Sequence, residues 1–267
     1  MLKSISCLTR ALLLALLLVA FPAGAAENGE NPWTPGEKLT YDVMWSVFRA
    51  GEVSATVRQK GETSPEAFEV TTTARSEGFV SLLFDVDNDL RSVFSPQTLC
   101  SQRISKRINE GRRHKDTLIV FDSVRNLAIL DERDLSQPGA PAKHAENEIP
   151  PCVEDVVTAF YYLRRQPMEV GHTIELPVND GAKTQRVVVE VQAREKVQTP
   201  TGTFDTFRVE PKVFNGLFQR KGRMLIWFST DHQRLPVRIK AMISVGSLTG
   251  TLRAITRQPA EASPAKP

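Results

Sequence analysis

The sequence predicts an all-β protein: a strongly curved antiparallel sheet, or open barrel, of about 14 strands with one short central helix. Three observations lead there. Most apolar runs alternate with polar residues at period two, as in Leu39, Tyr41, Val43, Trp45 and Val47 against Thr40, Asp42 and Ser46. The runs are separated by short turn-forming clusters such as Asp87-Asn88-Asp89, Asn109-Glu110-Gly111 and Asn179-Asp180-Gly181. Strands joined by so few residues must pair antiparallel, because parallel pairing needs a crossover of a dozen residues or more. Only residues 151–166 carry a helical apolar spacing.

In chain order, residues 1–26 read as a secretory leader. Lys3 and Arg10 supply the positive region, the 11 residues ALLLALLLVAF at 11–21 the apolar core, and Ala23-Gly24-Ala25 the small-residue cleavage pattern. Cleavage is expected near Ala25 or Ala26. The apolar core is well short of the ~20 residues that span a bilayer, and no second apolar segment follows, so the processed chain should be exported with no membrane span. Cys7 precedes the apolar core and is not placed for lipid attachment.

Residues 27–258 read as a single β-barrel-like domain. A proline-punctuated lead-in at 32–36 is followed by expected strands at 39–47, 53–57, 68–72, 79–84, 90–94, 102–108, 117–121 and 127–130, with a turn at 61–65. Residues 131–150, rich in Pro, Ala and Glu, read as a surface loop. In the helix that follows, Asp155 is the expected N-cap. Val156, Ala159, Phe160 and Leu163 form its apolar stripe, with Thr158, Tyr162 and Arg165 on the other side. Arg164 and Arg165 suit the negative C-terminal end, and Pro167 stops it. A rod of roughly 15 Å is too short to persist alone and must lie on a sheet. Strands resume at 173–178, 186–191, 204–210, 224–228, 237–245 and 248–255, and a Pro/Ala-rich tail at 259–267 is expected to be disordered.

There is an internal echo. Ser92-Val93-Phe94-Ser95, Leu99 and Arg103-Ile104 correspond in pattern to Ile226-Trp227-Phe228-Ser229, Leu235 and Arg238-Ile239. Two similar halves, 36–135 and 166–256, joined by 136–166, are one reading of it. Chance similarity of β-hairpins is the other.

Charge excludes little except nucleic acid. The 34 Lys+Arg against 31 Asp+Glu fall almost to balance once Lys3 and Arg10 leave with the leader, and a nucleic-acid binder normally shows a strong basic excess. In an oxidising compartment the two remaining cysteines, Cys100 and Cys152, are expected to pair. The bond would be worth about 3–4 kcal/mol in the chain-entropy picture, with two buried thiols as the alternative.

Several stretches together resemble a known family. The opening Gly36-Glu37-x-Leu39-x-Tyr41-x-Val43-x-Trp45 with Ala50-Gly51, the central Asp155-x-x-Thr158-Ala159-Phe160-Tyr161-Tyr162-Leu163-Arg164, and Thr199-Pro200-x-Gly202-x-Phe204 belong to the set. So does the late Trp227-x-Ser229-x-Asp231 with Arg234-x-Pro236-Val237. The set resembles a family of exported bacterial proteins classed as a domain of unknown function, over about residues 36–255. The family pattern has Asp-Pro-Leu-Ser where this chain has Asp155-Val156-Val157-Thr158, which loses a helix-favouring proline and keeps the cap. The resemblance implies an envelope protein with a barrel-like fold and no assigned catalytic residues. It is distantly similar to the periplasmic lipoprotein-carrier proteins, whose curved sheets hold acyl chains around a helical plug; that likeness is one of fold.

Candidate chemistry is sparse. His114, His144, His172 and His232 form no metal-ligand spacing, and no nucleophile elbow, P-loop or dinucleotide fingerprint is present. Neither a metal nor a cofactor is expected. Arg103, Arg107, Arg112 and Arg113 decorate a basic hairpin that could dock anionic groups, or simply solvate it. Tyr41, Trp45, Phe160, Tyr161, Phe214, Phe218 and Trp227 are candidates to line an apolar ligand site, or plain core; the stretch 214–218 could form a lid. The leading expectation is a non-enzymatic periplasmic protein that binds or carries a lipid-like ligand. A structural or assembly factor binding another envelope protein is the alternative, and a hydrolase a remote one.

Overall fold

A computed structural model of the chain describes residues 31–60, 67–213, 223–243 and 245–257. The leader, the turn at 61–65, the stretch 214–218 with Phe214 and Phe218, and the tail lie outside the described residues.

Eight strands form the first meander: β1 (Glu37–Trp45), β2 (Phe48–Lys60), β3 (Ala67–Ser76), β4 (Asp87–Phe94), β5 (Ser101–Glu110), β6 (Arg113–Asp122), β7 (Leu127–Asp134) and β8 (Lys143–Glu148). A short helix, α1 (Gly78–Leu83), interrupts the connection from β3 to β4. After the central helix α2 (Thr158–Arg165) come β9 (Thr173–Asn179), β10 (Thr184–Thr199), β11 (Gly202–Val213), β12 (Met224–Ser229), β13 (Pro236–Met242) and β14 (Ser247–Arg257). The 14 strands make one sheet in the order β8-β7-β6-β5-β4-β3-β2-β1-β14-β13-β12-β11-β10-β9. Two meanders are therefore sewn together by β1 against β14, with Tyr41 opposite Leu252 and Val43 opposite Gly250.

The sheet is open, and it curls. Helix α2 packs against both β4 and β9, strands nine places apart in the sheet order. A flat sheet at ~4.8 Å per strand would separate them by roughly 43 Å, far more than a helix about 10–12 Å across can bridge. The edge strands β8 and β9 do not pair in a ladder but meet through side chains. Asn147 donates to the Gly181 carbonyl at 2.8 Å, and Asn179 donates to the Asn147 side-chain oxygen at 2.8 Å. Gly181 sits so close to Ile119 and Leu130 that a Cβ there would fall 2.7 Å from Ile119 Cδ1.

Where structure and sequence expectation differ, the reasons are local. Residues 79–83 lie in α1, with Phe84 as its C-cap, and form no strand. The run Phe-Val-Ser-Leu-Leu-Phe has no period-two alternation to match a sheet face, and Gly78 enters at φ 57°. Within the expected 131–150 loop lies β8, an edge strand whose Lys143, Glu146 and Glu148 hide the usual apolar signal, since sheet edges tolerate and use charge. The helix begins at Thr158, and Val157 N–H and Thr158 N–H donate to Asp155 Oδ1 at 2.7 and 3.1 Å, so Asp155 still caps its first turn. Its buried set is Thr158, Tyr161, Leu163 and Arg164. The expected stripe is wrong on one side, because a helix enclosed by a curled sheet is packed nearly all round.

The two segments of the internal echo have one geometry. A register shift falls between Val93 and Phe94 and again between Trp227 and Phe228. In each, the next serine N–H returns to a carbonyl across the corner, Ser95 to Cys100 at 3.1 Å and Ser229 to Leu235 at 2.8 Å. Phe94, Leu99, Phe228 and Leu235 are all fully buried.

Candidate functional site

Helix α2 is held in the sheet by two buried polar joints. At its start, the carboxylate of buried Asp155 accepts the hydroxyls of Ser92 (2.6 Å), Ser101 (2.8 Å) and Thr158 (3.0 Å), besides the two backbone N–H groups. A buried carboxylate needs such a shell, because an unpartnered one is costly. The disulfide Cys100–Cys152 forms next to this joint and ties the corner before β5 to the helix lead-in.

At its end, Arg164 is almost wholly buried and forks onto Glu37 at 2.6 and 3.1 Å. It also donates to the carbonyls of Pro32 (3.1 Å) and Gln233 (3.0 and 3.2 Å). Burial works against the guanidinium charge, yet the hydrogen bonds and charge of Glu37 outweigh it and raise the Arg164 pKa. The proline-punctuated lead-in buries Trp33, whose ring packs edge-on to Tyr161 at 5.0 Å and lies 5.5 Å from the guanidinium.

Between α2 and the β1–β2–β13–β14 part of the sheet lies a cavity of about 330 Å³. Leu39, Tyr41 and Val43 of β1, Val53 and Ala55 of β2, Leu90 of β4, and Ile239 and Ala241 of β13 form its sheet wall. Phe160 and Tyr161 form its helix wall. Of its lining residues only Tyr41, Thr72, Tyr161 and Arg164 carry polar side-chain atoms, and the Arg164 guanidinium is bound to Glu37 and the two carbonyls. Burial is the main cause that raises both phenols far above the ordinary tyrosine range, so they are neutral. Such a site suits apolar matter.

A second recess, of about 510 Å³, shares Val43, Val53 and Leu248 with the first and runs on past Trp45, Val86 and Ile243 to Val80, Leu83 and Phe84 beside α1. A third, of about 560 Å³, is lined by charged residues of β4–β7, including Asp89, Arg107, Asp116 and Arg133.

Of the residues expected to form an apolar site, Tyr41, Phe160 and Tyr161 line the first cavity and Trp45 the second. Trp227 lines neither; it stands between Arg208 and Arg238 in the strand register and donates its indole N–H to Glu195. The arginines are spread along the β5–β6 hairpin. Arg107 faces Asp116 at 3.7 Å and Arg113 pairs with Glu110 at 3.3 Å, while Arg103 lies roughly 24 Å along β5 from Glu110. The histidines sit at or near the surface, with His144 against Asp131 at 2.8 Å and His114 against Asn109 at 3.0 Å. Among the described residues no three His, Cys, Asp or Glu side chains gather as a metal site.

The sequence reading missed Leu39, Val43, Leu90 and Ile239 as lining residues, although the alternation marked three of them as facing one side of a strand. It also missed the Glu37–Arg164 pair. Both members stand in the stretches that carry the family resemblance, but nothing in their spacing of 127 residues says that they touch.

The family described as Protein of unknown function (DUF3108) matches residues 40–253. The chain belongs to that family. No curated protein matches it. Among solved structures, the β-barrel-like protein of the domain of unknown function DUF1849 from Brucella abortus aligns with a TM-score of 0.56 and 8% identity, over 84% of this chain and 98% of that chain. This shows a shared fold and nothing more. A protein with a YmcC-like fold from Bacteroides fragilis, described as a candidate exported protein, and one from Parabacteroides distasonis, described as a candidate lipoprotein, align at 13% and 12% identity. They cover 84% of this chain and 97% and 96% of theirs, with TM-scores of 0.34, too low to carry an argument. Neither the DUF3108 family nor these likenesses indicates an enzymatic activity.

Proposed function

We propose that the protein is a non-enzymatic component of the bacterial periplasm that holds one apolar chain of a lipid-like ligand between α2 and the sheet. The observation that carries this reading is the cavity of about 330 Å³ walled by Leu39, Val43, Leu90, Phe160 and Ile239, with the longer recess continuing from it. Its volume falls within the ~300–1,000 Å³ typical of ligand sites. A buried methylene is worth about 0.8 kcal/mol, so ten of them supply roughly 8 kcal/mol, the free energy of micromolar binding. Export is supported by the leader at 1–26 and by the disulfide, which suits an oxidising compartment.

The polar groups near the cavity support the absence of catalysis. Asp155, Arg164 and Glu37 are each consumed by structural hydrogen bonds, and no nucleophile stands beside a free base among the lining residues.

The test is native mass spectrometry of protein from the periplasmic fraction, with lipid extraction, before and after adding palmitate. A near-stoichiometric bound lipid, absent from an Ala241→Phe variant whose ring fills the cavity, is the expected result. An apo mass unchanged by palmitate and by envelope lipids refutes the reading.

A further inference from the structure

We propose that the end of the sheet carrying α1 is a docking surface for a zwitterionic lipid bilayer, with an apolar rim that enters the acyl layer. Strand directions place the β1–β2 turn, the β3–β4 connection with α1, and the β13–β14 turn at one end of the sheet. Contacts join them into one rim. Ser46 N–H donates to Ser247 at 2.7 Å, the Trp45 indole donates to the Val245 carbonyl at 3.0 Å, and the Phe48 and Phe79 rings lie 6.4 Å apart.

The rim is apolar and unpartnered. Helix α1 buries none of its residues, and Val47, Phe79, Leu82 and Val245 are 77%, 60%, 85% and 69% exposed. Large apolar side chains gathered at one exposed end mark a surface that meets something apolar. A six-residue helix is too short to be stable by itself in water; an apolar medium on its free side removes the cost of that exposure.

Charge and continuity choose the bilayer. Behind the rim the ionic groups come as neighbouring pairs of opposite sign: Arg49 with Glu77 at 3.0 Å, Arg75 with Asp87 at 2.6 Å, and Arg113 with Glu110 at 3.3 Å. A phosphoethanolamine or phosphocholine headgroup carries the same two signs side by side, so guanidinium can face phosphate while carboxylate faces the ammonium. Within these pairs of described residues the two signs balance, unlike the basic excess that selects anionic lipid. The recess of about 510 Å³ is lined at this rim by the exposed Leu83, Phe84 and Val245, and also by Val43 and Leu248, which line the inner cavity as well. An acyl chain leaving the bilayer at the rim would meet a mainly apolar wall, with Glu52, Arg75, Ser76 and Glu110 as the polar members of the lining. That last step rests on the proposed lipid binding; docking itself needs only the rim.

The test is flotation of the purified chain with vesicles of phosphatidylethanolamine and phosphatidylcholine, beside vesicles to which phosphatidylglycerol is added. The expected result is flotation with the first composition, little changed by salt. Leu82→Asp and Val47→Asp, each at a solvent-facing position that leaves the sheet intact, should lower the partition about tenfold apiece, with palmitate loading of the cavity retained. Protein that loads palmitate but stays at the bottom of the gradient overturns docking and leaves the cavity reading in place. Variants that float like the parent, or flotation only with phosphatidylglycerol, also overturn it.

Discussion

Replacing Glu37 with glutamine isolates the joint at the end of α2. The substitution keeps the size of the side chain and removes one charge from a pair whose two members are 3% and 1% exposed. Arg164 then keeps its carbonyl partners at Pro32 and Gln233 but loses its counter-charge. Breaking a buried ion pair by removing one partner costs about 3–5 kcal/mol, and two charge-assisted hydrogen bonds at about 1.5–3 kcal/mol each give a similar figure. With a urea m-value of about 3 kcal/mol/M, the unfolding midpoint should fall by about 1–1.7 M. Tryptophan fluorescence reads this directly, since Trp33 lies against both Arg164 and Tyr161. Arg164→Met combined with Glu37→Leu should recover part of the loss and no more, because the Pro32 and Gln233 carbonyls remain without a donor. A midpoint shift under about 0.3 M for Glu37→Gln, which is about 1 kcal/mol at that m-value, would refute the reasoning: the pair would then be solvated in solution.

Other outcomes follow from the remaining joints. Cys100→Ser with Cys152→Ser, or reduction of the bond between them, should cost about 4 kcal/mol for a loop of this length. That corresponds to a melting temperature lower by about 8–16 °C; an unchanged melting curve under reductant would show the bond to be idle. Asp155→Ala, which strips partners from Ser92, Ser101 and Thr158, should destabilise by about 3 kcal/mol in urea titration, and Asp155→Asn by less. Burial pushes Glu154 up to about 7, and its Oε2 has no partner. Its folded value lies above its unfolded one, so the stability it contributes is full below about pH 4.5 and is lost as pH rises through about 7. The loss amounts to about 3 kcal/mol, and Glu154→Gln should flatten that slope; a parent profile already flat between those values refutes it.

How much of this was legible in the sequence depends on which force set each feature. Period-two alternation located β1 and β13, because Leu39, Tyr41 and Val43, like Val237 and Ile239, are turned to the interior and a one-residue slip would turn them out. The short turns fixed the antiparallel meander, since nothing else can connect strands so closely. Local chemistry failed where a tertiary partner decides the outcome. The Phe79–Leu83 segment looks like a strand by residue preference, and becomes α1 because no neighbouring strand presents it a face. Strand β8 has almost no apolar residue, and exists because β7 offers it a free edge from Leu127 to Glu132.

The helix shows the same division more sharply. Asp155 was readable as a cap because capping is a contact of two or three residues. Arg164 was read only as a charge complementing the helix end, a favourable place for arginine. Its burial depends on Glu37, on the Gln233 carbonyl and on Trp33, three groups brought to one point only when β1, the β12–β13 corner and the lead-in close around α2. The cavity has the same origin. Its lining is ordinary core sequence, and a gap of about 330 Å³ arises because Phe160 and Tyr161 reach across from α2 to a sheet carrying Ala55, Ala241 and Gly250. Those small residues are the one local sign that the interior is under-filled, and it becomes visible only when the register shows that they face a common centre.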